Sequence, residues 1–340
     1  MKPIVLPYGG VEPEFATPPA YAASGSAVLG RAKIGRSAWL GERSVIRADG
    51  HFVEIGDDFR LGAGGTVHIS HDLLPTRIGH RVTAGTNSVI HACNVGDDCF
   101  IGDDVVILDG SEVENGCAIE AGSVVFPRSS LQTGWLYGGS PVAKIRELRD
   151  GELGELHSRQ RSTPDRSTDT AQTTPDLRAG GHVFVATSAR LAGQIDCEGE
   201  NGIWYGCVLD AGKRSISVGL HTNIQDNTTI RSIGADVRIG RNATIGHNVT
   251  MDDCTVGDAS LIGIGATLAP GTLVESDVLV AAGAATEAGQ KLDTGWLYAG
   301  SPARKLRPLE DKHRALIAGT WPVYCEYALR FARAQEKASI

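Results

Sequence analysis

The chain has 340 residues, the length of roughly two domains, and its hydrophobic fraction of 41% supplies apolar mass for two cores. Its 43 glycines against 6% aromatics favour tight corners around a thin aliphatic interior. A net charge of −8 without a basic stripe excludes a general nucleic-acid surface.

No run reaches the ~18 apolar residues of a membrane span. The start, MKPIVLPYGGVEPEF, lacks the charged and apolar regions of a signal peptide, so a cytoplasmic protein without membrane or nucleic-acid partners is expected. The seven cysteines form no C-x-x-C, and the odd count argues against a disulfide framework. Cys93 and Cys254 occupy equivalent places in the two halves and read as buried thiols.

The Pro- and Ala-rich start, before Val28-Leu29-Gly30, is expected to wrap the blunt end of the first domain. From there apolar residues recur at a spacing that settles to six: Val95, Ile101, Ile107, Val113, Ile119, Val125. Neither a helix (period 3.6) nor a plain strand (period 2) produces this. Three short strands per coil of a β-solenoid do, with one branched side chain per face turned inward. The period is interrupted at His68-Ile69-Ser70-His71-Asp72-Leu73-Leu74-Pro75, which reads as a loop projecting from a corner. Gly134 to Pro141 closes the first half, and a polar helix is expected over Ala143 to Gln160.

Arg161 to Asp176, RSTPDRSTDTAQTTPD, has the composition of a linker. The register returns as Val256, Ile262, Leu268, Val274, Val280, and Gly134–Pro141 recurs 161 residues later as Gly295–Pro302. The expected organisation is a first solenoid with a closing helix (1–160), a linker (161–180) and a second solenoid with a C-terminal helix (181–340). The last helix, Leu309 to Ala338, carries Leu316, Trp321, Tyr324, Tyr327, Ala328 and Phe331 on an apolar face. Pro322 is expected to bend or split it.

Several motifs together resemble the γ-class carbonic anhydrases: Val45-Ile46-Arg47-Ala48-Asp49, His68-Ile69-Ser70-His71-Asp72, His91-Ala92-Cys93 and Leu136 to Pro141. The second half repeats the pattern with Trp204-Tyr205-Gly206, Asn223-Ile224-Gln225-Asp226, Ile245-Gly246-His247 and Leu297 to Pro302. The resemblance implies two tandem left-handed parallel β-helices of hexapeptide repeats in an otherwise all-β fold with flanking helices. It further implies a metal, zinc by default and iron or cobalt as alternatives, held by three histidines between neighbouring solenoids that self-associate.

Matched to that pattern, the first half keeps the first and third metal histidines, His68 and His91, and has Thr86 at the second place. The second half has Arg231 and Asp252 at the first and third places and His247 at the second. Thr86 and His91 are five apart, as are His247 and Asp252, so each pair falls on different faces of a coil with six residues per face. A complete set therefore needs His68 and His91 from one solenoid and His247 from another. The R-x-D motif survives only as Arg47 and Asp49, and the N-x-Q-D motif only as Asn223, Gln225 and Asp226. The resemblance pairs Arg47 with Asp226, sets Gln225 near the metal-bound water and lets Asp49 reach that water or a substrate.

Three neutral imidazoles leave a divalent metal open positions, the arrangement of a catalytic site, and such a metal makes hydroxide available near neutral pH. Hydration of CO₂, or a reaction derived from it, is the expected activity on a small-molecule substrate. The alternatives are a metal-dependent hydrolase or lyase acting on a small organic molecule or thioester, a hexapeptide acyltransferase, and a non-catalytic assembly scaffold. Independent decay of two metal sites would not leave complementary remnants, which favours the enzyme.

Overall fold

The computed structural model describes residues 2–162 and 175–338. The chain divides into two compact units, Met1–Thr168 and Asp169–Ile340. Each is a β-solenoid of parallel strands carrying one α-helix, α1 (Glu152–Ser162) in the first unit and α2 (Asp311–Ala338) in the second. Among the described residues no helix is long and apolar enough to cross a membrane.

In the first unit, successive coils stack in parallel register. Phe100 pairs with Ala118 and Ile101 with Ile119, a step of one full coil, or three six-residue faces. Most faces are strands of two or three residues, while Ala27–Ile34 and Val45–Ile55 run on round a corner and join two faces into one sheet. The inward rows are branched and aliphatic: Ile46, Val67, Ile90, Ile107 and Val125 form one row, and Leu61, Ala84, Ile101 and Ile119 another, all fully buried. One inward side chain per face suffices because hydrogen bonds to the coils above and below satisfy the backbone.

The sharp corners are the reason for the Asp, Asn and Gly residues between strands. Positive φ recurs at Asp98, Asp104, Gly110, Gly116 and Gly122, each six residues from the last. This left-handed region is open to Gly and tolerated by Asn and Asp. The expected interruption after His68 is a tight turn: Ser70 N donates to Leu74 O at 3.1 Å and Leu74 N returns to Ser70 O at 3.3 Å. The coil resumes at Thr76–Ile78.

The helix expected over Ala143 to Gln160 is only half present. Ala143–Glu147 is a strand, antiparallel to Trp135–Gly138, and the helix begins at Glu152. It lies along the face that contains Thr83 and Phe100. His157 Nδ1 is 2.8 Å from the Thr83 hydroxyl, its ring meets Phe100 edge-on, and Gln160 donates to Asp103 at 3.1 Å. Glu152 locks the start of α1 by accepting from both terminal nitrogens of Arg146 and from Arg149 N.

Those bonds, led by the Arg146 guanidinium, hold the Glu152 carboxyl at about 2. A depressed carboxylate contributes fully above its ordinary pKa of about 4.3 and loses that contribution as pH falls toward its folded value. Glu152→Gln is therefore expected to increase hydrogen exchange in α1 at pH 7, with variant and parent converging near pH 2. Equal protection at pH 7 would contradict the lock.

The second unit repeats the plan over strands from Pro175–Ala179 to Arg304–Pro308. Of the linker expected over 161–180, residues 163–174 lie outside the described residues. Pro175–Ala179 is instead a strand, parallel to Arg190–Cys197. The helix α2 is one continuous element despite Pro322. Anchors on either side of the proline account for this: Ile317 packs with Leu279, Leu297 and Leu309. Phe331 packs among Phe184, Trp204 and Tyr205, and Tyr324 meets Trp204 edge-on. The aromatic face of α2 is thus solenoid packing. No disulfide links the cysteines, and burial pushes the Cys93 and Cys254 thiols up.

Candidate metal centre

His68 and His91 end the neighbouring strands Thr66–His68 and Val89–His91, in direct register with one another. Stacking of adjacent coils alone brings their rings to a centroid separation of 5.2 Å, with His68 Nδ1 3.3 Å from His91 Nε2. The remaining nitrogen of each ring meets a carboxylate: His68 Nε2 is 3.0 Å from Asp49 Oδ1, and His91 Nδ1 is 2.6 Å from Asp109 Oδ1. Arg47 donates to the other Asp49 oxygen, and Arg47 and Asp49 are both fully buried. Thr76 bonds the His68 carbonyl, pinning the chain where it leaves for the turn.

Asp49 thus bridges His68 and Arg47. The strand Val45–Ile55 runs beside Thr66–His68, which brings Asp49 to that coil.

In the second unit His247 follows Thr244–Ile245 at a corner, fully buried, with Nδ1 3.2 Å from Asp226 Oδ2. The other Asp226 oxygen accepts from Tyr205 N at 3.0 Å. Gln225 Nε2 donates to Asn223 Oδ1 at 3.3 Å, and Asn223 Nδ2 donates to the Thr244 hydroxyl at 3.0 Å. This chain commits the Gln225 amide nitrogen and leaves its Oε1 as an acceptor. The pair in register where the first unit has His68 and His91 is Arg231 and Asp252. They form a two-pronged ion pair, both contacts 2.7 Å, so these two strands carry a self-neutralising pair in place of two imidazoles.

His68 and His91 thus each have one nitrogen hydrogen-bonded to a carboxylate, the arrangement that fixes a metal-ligating histidine and its tautomer, while His247 Nδ1 lies 3.2 Å from the Asp226 carboxylate. A carboxylate at one nitrogen accepts a hydrogen bond from the ring N–H there and leaves the lone pair of the other nitrogen facing outward. In His68 and His91 those outward nitrogens are 3.3 Å apart. Two nitrogens bound tetrahedrally at 2.0–2.1 Å to one zinc stand about 3.4 Å apart, so this pair fits such an ion. Among the described residues, no three His, Cys, Asp or Glu side chains within either unit alone qualify as a metal-holding group.

Sequence reading missed Asp109. Its signal was the register, since it lies 18 residues, one coil, after His91. Burial alone would raise its carboxyl, but the His91 charge and hydrogen bonds from His91 and Ser70 hold it below the ordinary range. His71 is half-exposed in the turn, 3.7 Å from Asp72.

Comparison with known proteins locates two short repeat matches. The family described as bacterial transferase hexapeptide (six repeats) matches residues 92–127, and that described as hexapeptide repeat of succinyl-transferase matches residues 253–285. The mitochondrial gamma carbonic anhydrase 2 of Arabidopsis thaliana is 36% identical over 138 residues, 39% of this chain and 50% of that protein. The chain thus spans half the length of this relative. Protein YrdA of Escherichia coli is 37% identical over 137 residues, 38% of this chain and 74% of that protein. Among solved structures, a hexapeptide transferase family protein from Anaplasma phagocytophilum is 28% identical with a TM-score of 0.42, covering 45% of this chain and 90% of that one.

Proposed function

The chain belongs to the γ-carbonic anhydrase-like hexapeptide-repeat family, and on that premise we propose that it is a metalloenzyme. His68 and His91 of the first unit and His247 of the second are its ligands, and zinc is the default ion. The observation that carries this reading is the pair of carboxylate-backed imidazoles whose outward nitrogens lie 3.3 Å apart. Two donors are one short of a complete set, and His247, backed by Asp226, is the imidazole that supplies the third.

When bound, such a cation supplies Lewis acidity that brings the pKa of water to about 7. The residues of the chain then have distinct tasks. Asp49 and Asp109 hold the His68 and His91 rings each in one tautomer, and Asp226 sets a negative charge beside His247. Gln225, its nitrogen tied to Asn223, orients an O–H group through Oε1. Arg47 neutralises Asp49, and pairing of Arg47 with Asp226 across the two units is part of the proposal. Hydration of CO₂ is the simplest reaction for this machinery. Hydrolysis or lyase chemistry on a larger small molecule is the second reading, favoured by the Arg231–Asp252 pair, which removes the symmetry that a duplicated hydratase would keep.

Metal content and a stopped-flow CO₂ assay on the zinc-loaded full chain test this. About one equivalent of metal per chain with CO₂ turnover is expected, whereas less than about a tenth of an equivalent after loading would leave a scaffold, because a preformed imidazole site binds zinc tightly at pH 7. Full loading without CO₂ turnover would select the hydrolase or lyase reading.

A further inference from the structure

Past the two histidines the outer face of the first solenoid continues in apolar residues. The register that pairs Ile90 with Ile107 and Ile107 with Val125 sets Leu108 after His91 and Phe126 after Leu108, in one column that faces away from the core. Leu108 is half-buried and Phe126 is 38% exposed. The turn after His68 adds Leu73 and Leu74, 76% and 39% exposed. Leu74 Cδ1 reaches within 3.9 Å of the place a Cβ on Gly110 would take, at the corner that follows Leu108. The matching column of the second unit is different. Beyond the Arg231–Asp252 pair the register sets Ala269 and then Glu287, which is ion-paired to Arg304 at 2.9 Å. A packing role common to both repeats would keep apolar residues in both, so the apolar column goes with the histidine pair.

We propose that Leu108 and Phe126, with Leu74 at their side, form the wall that receives an uncharged hydrocarbon arm of the substrate, and that the substrate is an ester of an aliphatic carboxylic acid. This rests on the metal-site reading above and takes its hydrolytic branch. Coils repeat at about 4.8 Å, so the column extends about 10 Å from His91 to Phe126, a length that a triatomic molecule such as CO₂ leaves unused. An arm attached directly to the reacting carbon is the one that a column starting at the ligands can hold. In the reaction the oxygen of water bonds to the acyl carbon, the acyl C–O bond breaks and the departing alcohol takes the proton. Ester and water thus become acid and alcohol. Full burial of a methylene strengthens binding about fourfold, and an open wall that covers about half of each gives about twofold.

The test uses the zinc-loaded full chain and the p-nitrophenyl esters of acetate, butyrate and hexanoate. From acetate to hexanoate kcat/KM is expected to rise about sixteenfold, about twofold for each added methylene. The rise should lie mostly in KM, because the wall holds substrate and transition state alike. Isothermal titration with the product acids, acetate and hexanoate, is expected to show the same preference without turnover. Leu108→Ala combined with Phe126→Glu installs the second unit's residues and is expected to bring both hexanoate-to-acetate ratios below about twofold, with zinc still bound. Should the double variant aggregate, Phe126→Glu alone, at an exposed position, decides by the same ratios. Equal constants across the series in the parent, or a parental ratio in the variant, would overturn the wall and leave the metal site standing. A zinc-loaded parent that hydrates CO₂ and hydrolyses none of the esters would do the same. Loss of every ester activity in the variant together with a changed particle mass by light scattering would assign the column to contact with another solenoid and overturn the proposal. Absence of zinc binding in the parent would overturn both readings.

Discussion

Replacing His247 by alanine is expected to abolish metal binding as completely as replacing His68, although the two residues belong to different repeats of the duplication. Each variant removes one of three neutral donors. A zinc site held by two imidazoles and water competes poorly with buffer and chelator, so the loaded content should fall from about one equivalent to below about a tenth in either case. The two units are complementary in what they offer. The first supplies an in-register histidine pair, and the second supplies an ion pair at that register but a buried, carboxylate-backed histidine at the next corner. Metal analysis after dialysis against a weak chelator reads the outcome. Retention of a full equivalent by His247→Ala, with loss by His68→Ala, would place the third donor elsewhere.

Replacing Arg47 by methionine is expected to be the most destabilising single change near the centre. The guanidinium and the Asp49 carboxylate are both fully buried and bonded to one another. Removing the guanidinium leaves the buried carboxylate without its countercharge, a cost of about 3–5 kcal/mol, whereas replacing both by apolar groups of similar size is often near neutral. Urea denaturation of Arg47→Met should therefore show a loss in that range, and Arg47→Met combined with Asp49→Leu should recover much of it. The double variant also removes the oxygen beside His68, so it is expected to bind metal less well than the parent while being more stable than Arg47→Met. A loss under about 1 kcal/mol in the single variant would mean the carboxylate is neutral or finds another donor.

The repeat was legible because its period matches neither ordinary secondary structure and its inward residues are branched and aliphatic almost without exception. The elements that were not legible share a property. Ala143–Glu147 and Pro175–Ala179 expose every residue, so neither carries a buried face to print a period on the sequence. One read as helix by composition and the other as linker, and in both the neighbouring strand decided the conformation. Pro322 does not split α2, because packing on either side of it outweighs one missing hydrogen bond. At the centre, the motif residues were found by type and spacing, but the bonds that Asp49 makes to His68 and Arg47 were not foreseen. Asp109 was missed because it belongs to no short motif, being adjacent to His91 only through the coil.

The left-handed corners recurring every six residues make the solenoid a reading frame. Losing a single residue inside a strand would turn every later side chain onto the wrong face, exporting a row of isoleucines and valines to solvent and importing Asp and Asn. Changes in length are thus tolerable only as whole coils or as outgrowths at a corner, such as the turn from Ser70 to Leu74. New sequence could enter there, beside His68 and His91, without disturbing the stack, and variation in substrate among related chains is expected to concentrate at that corner.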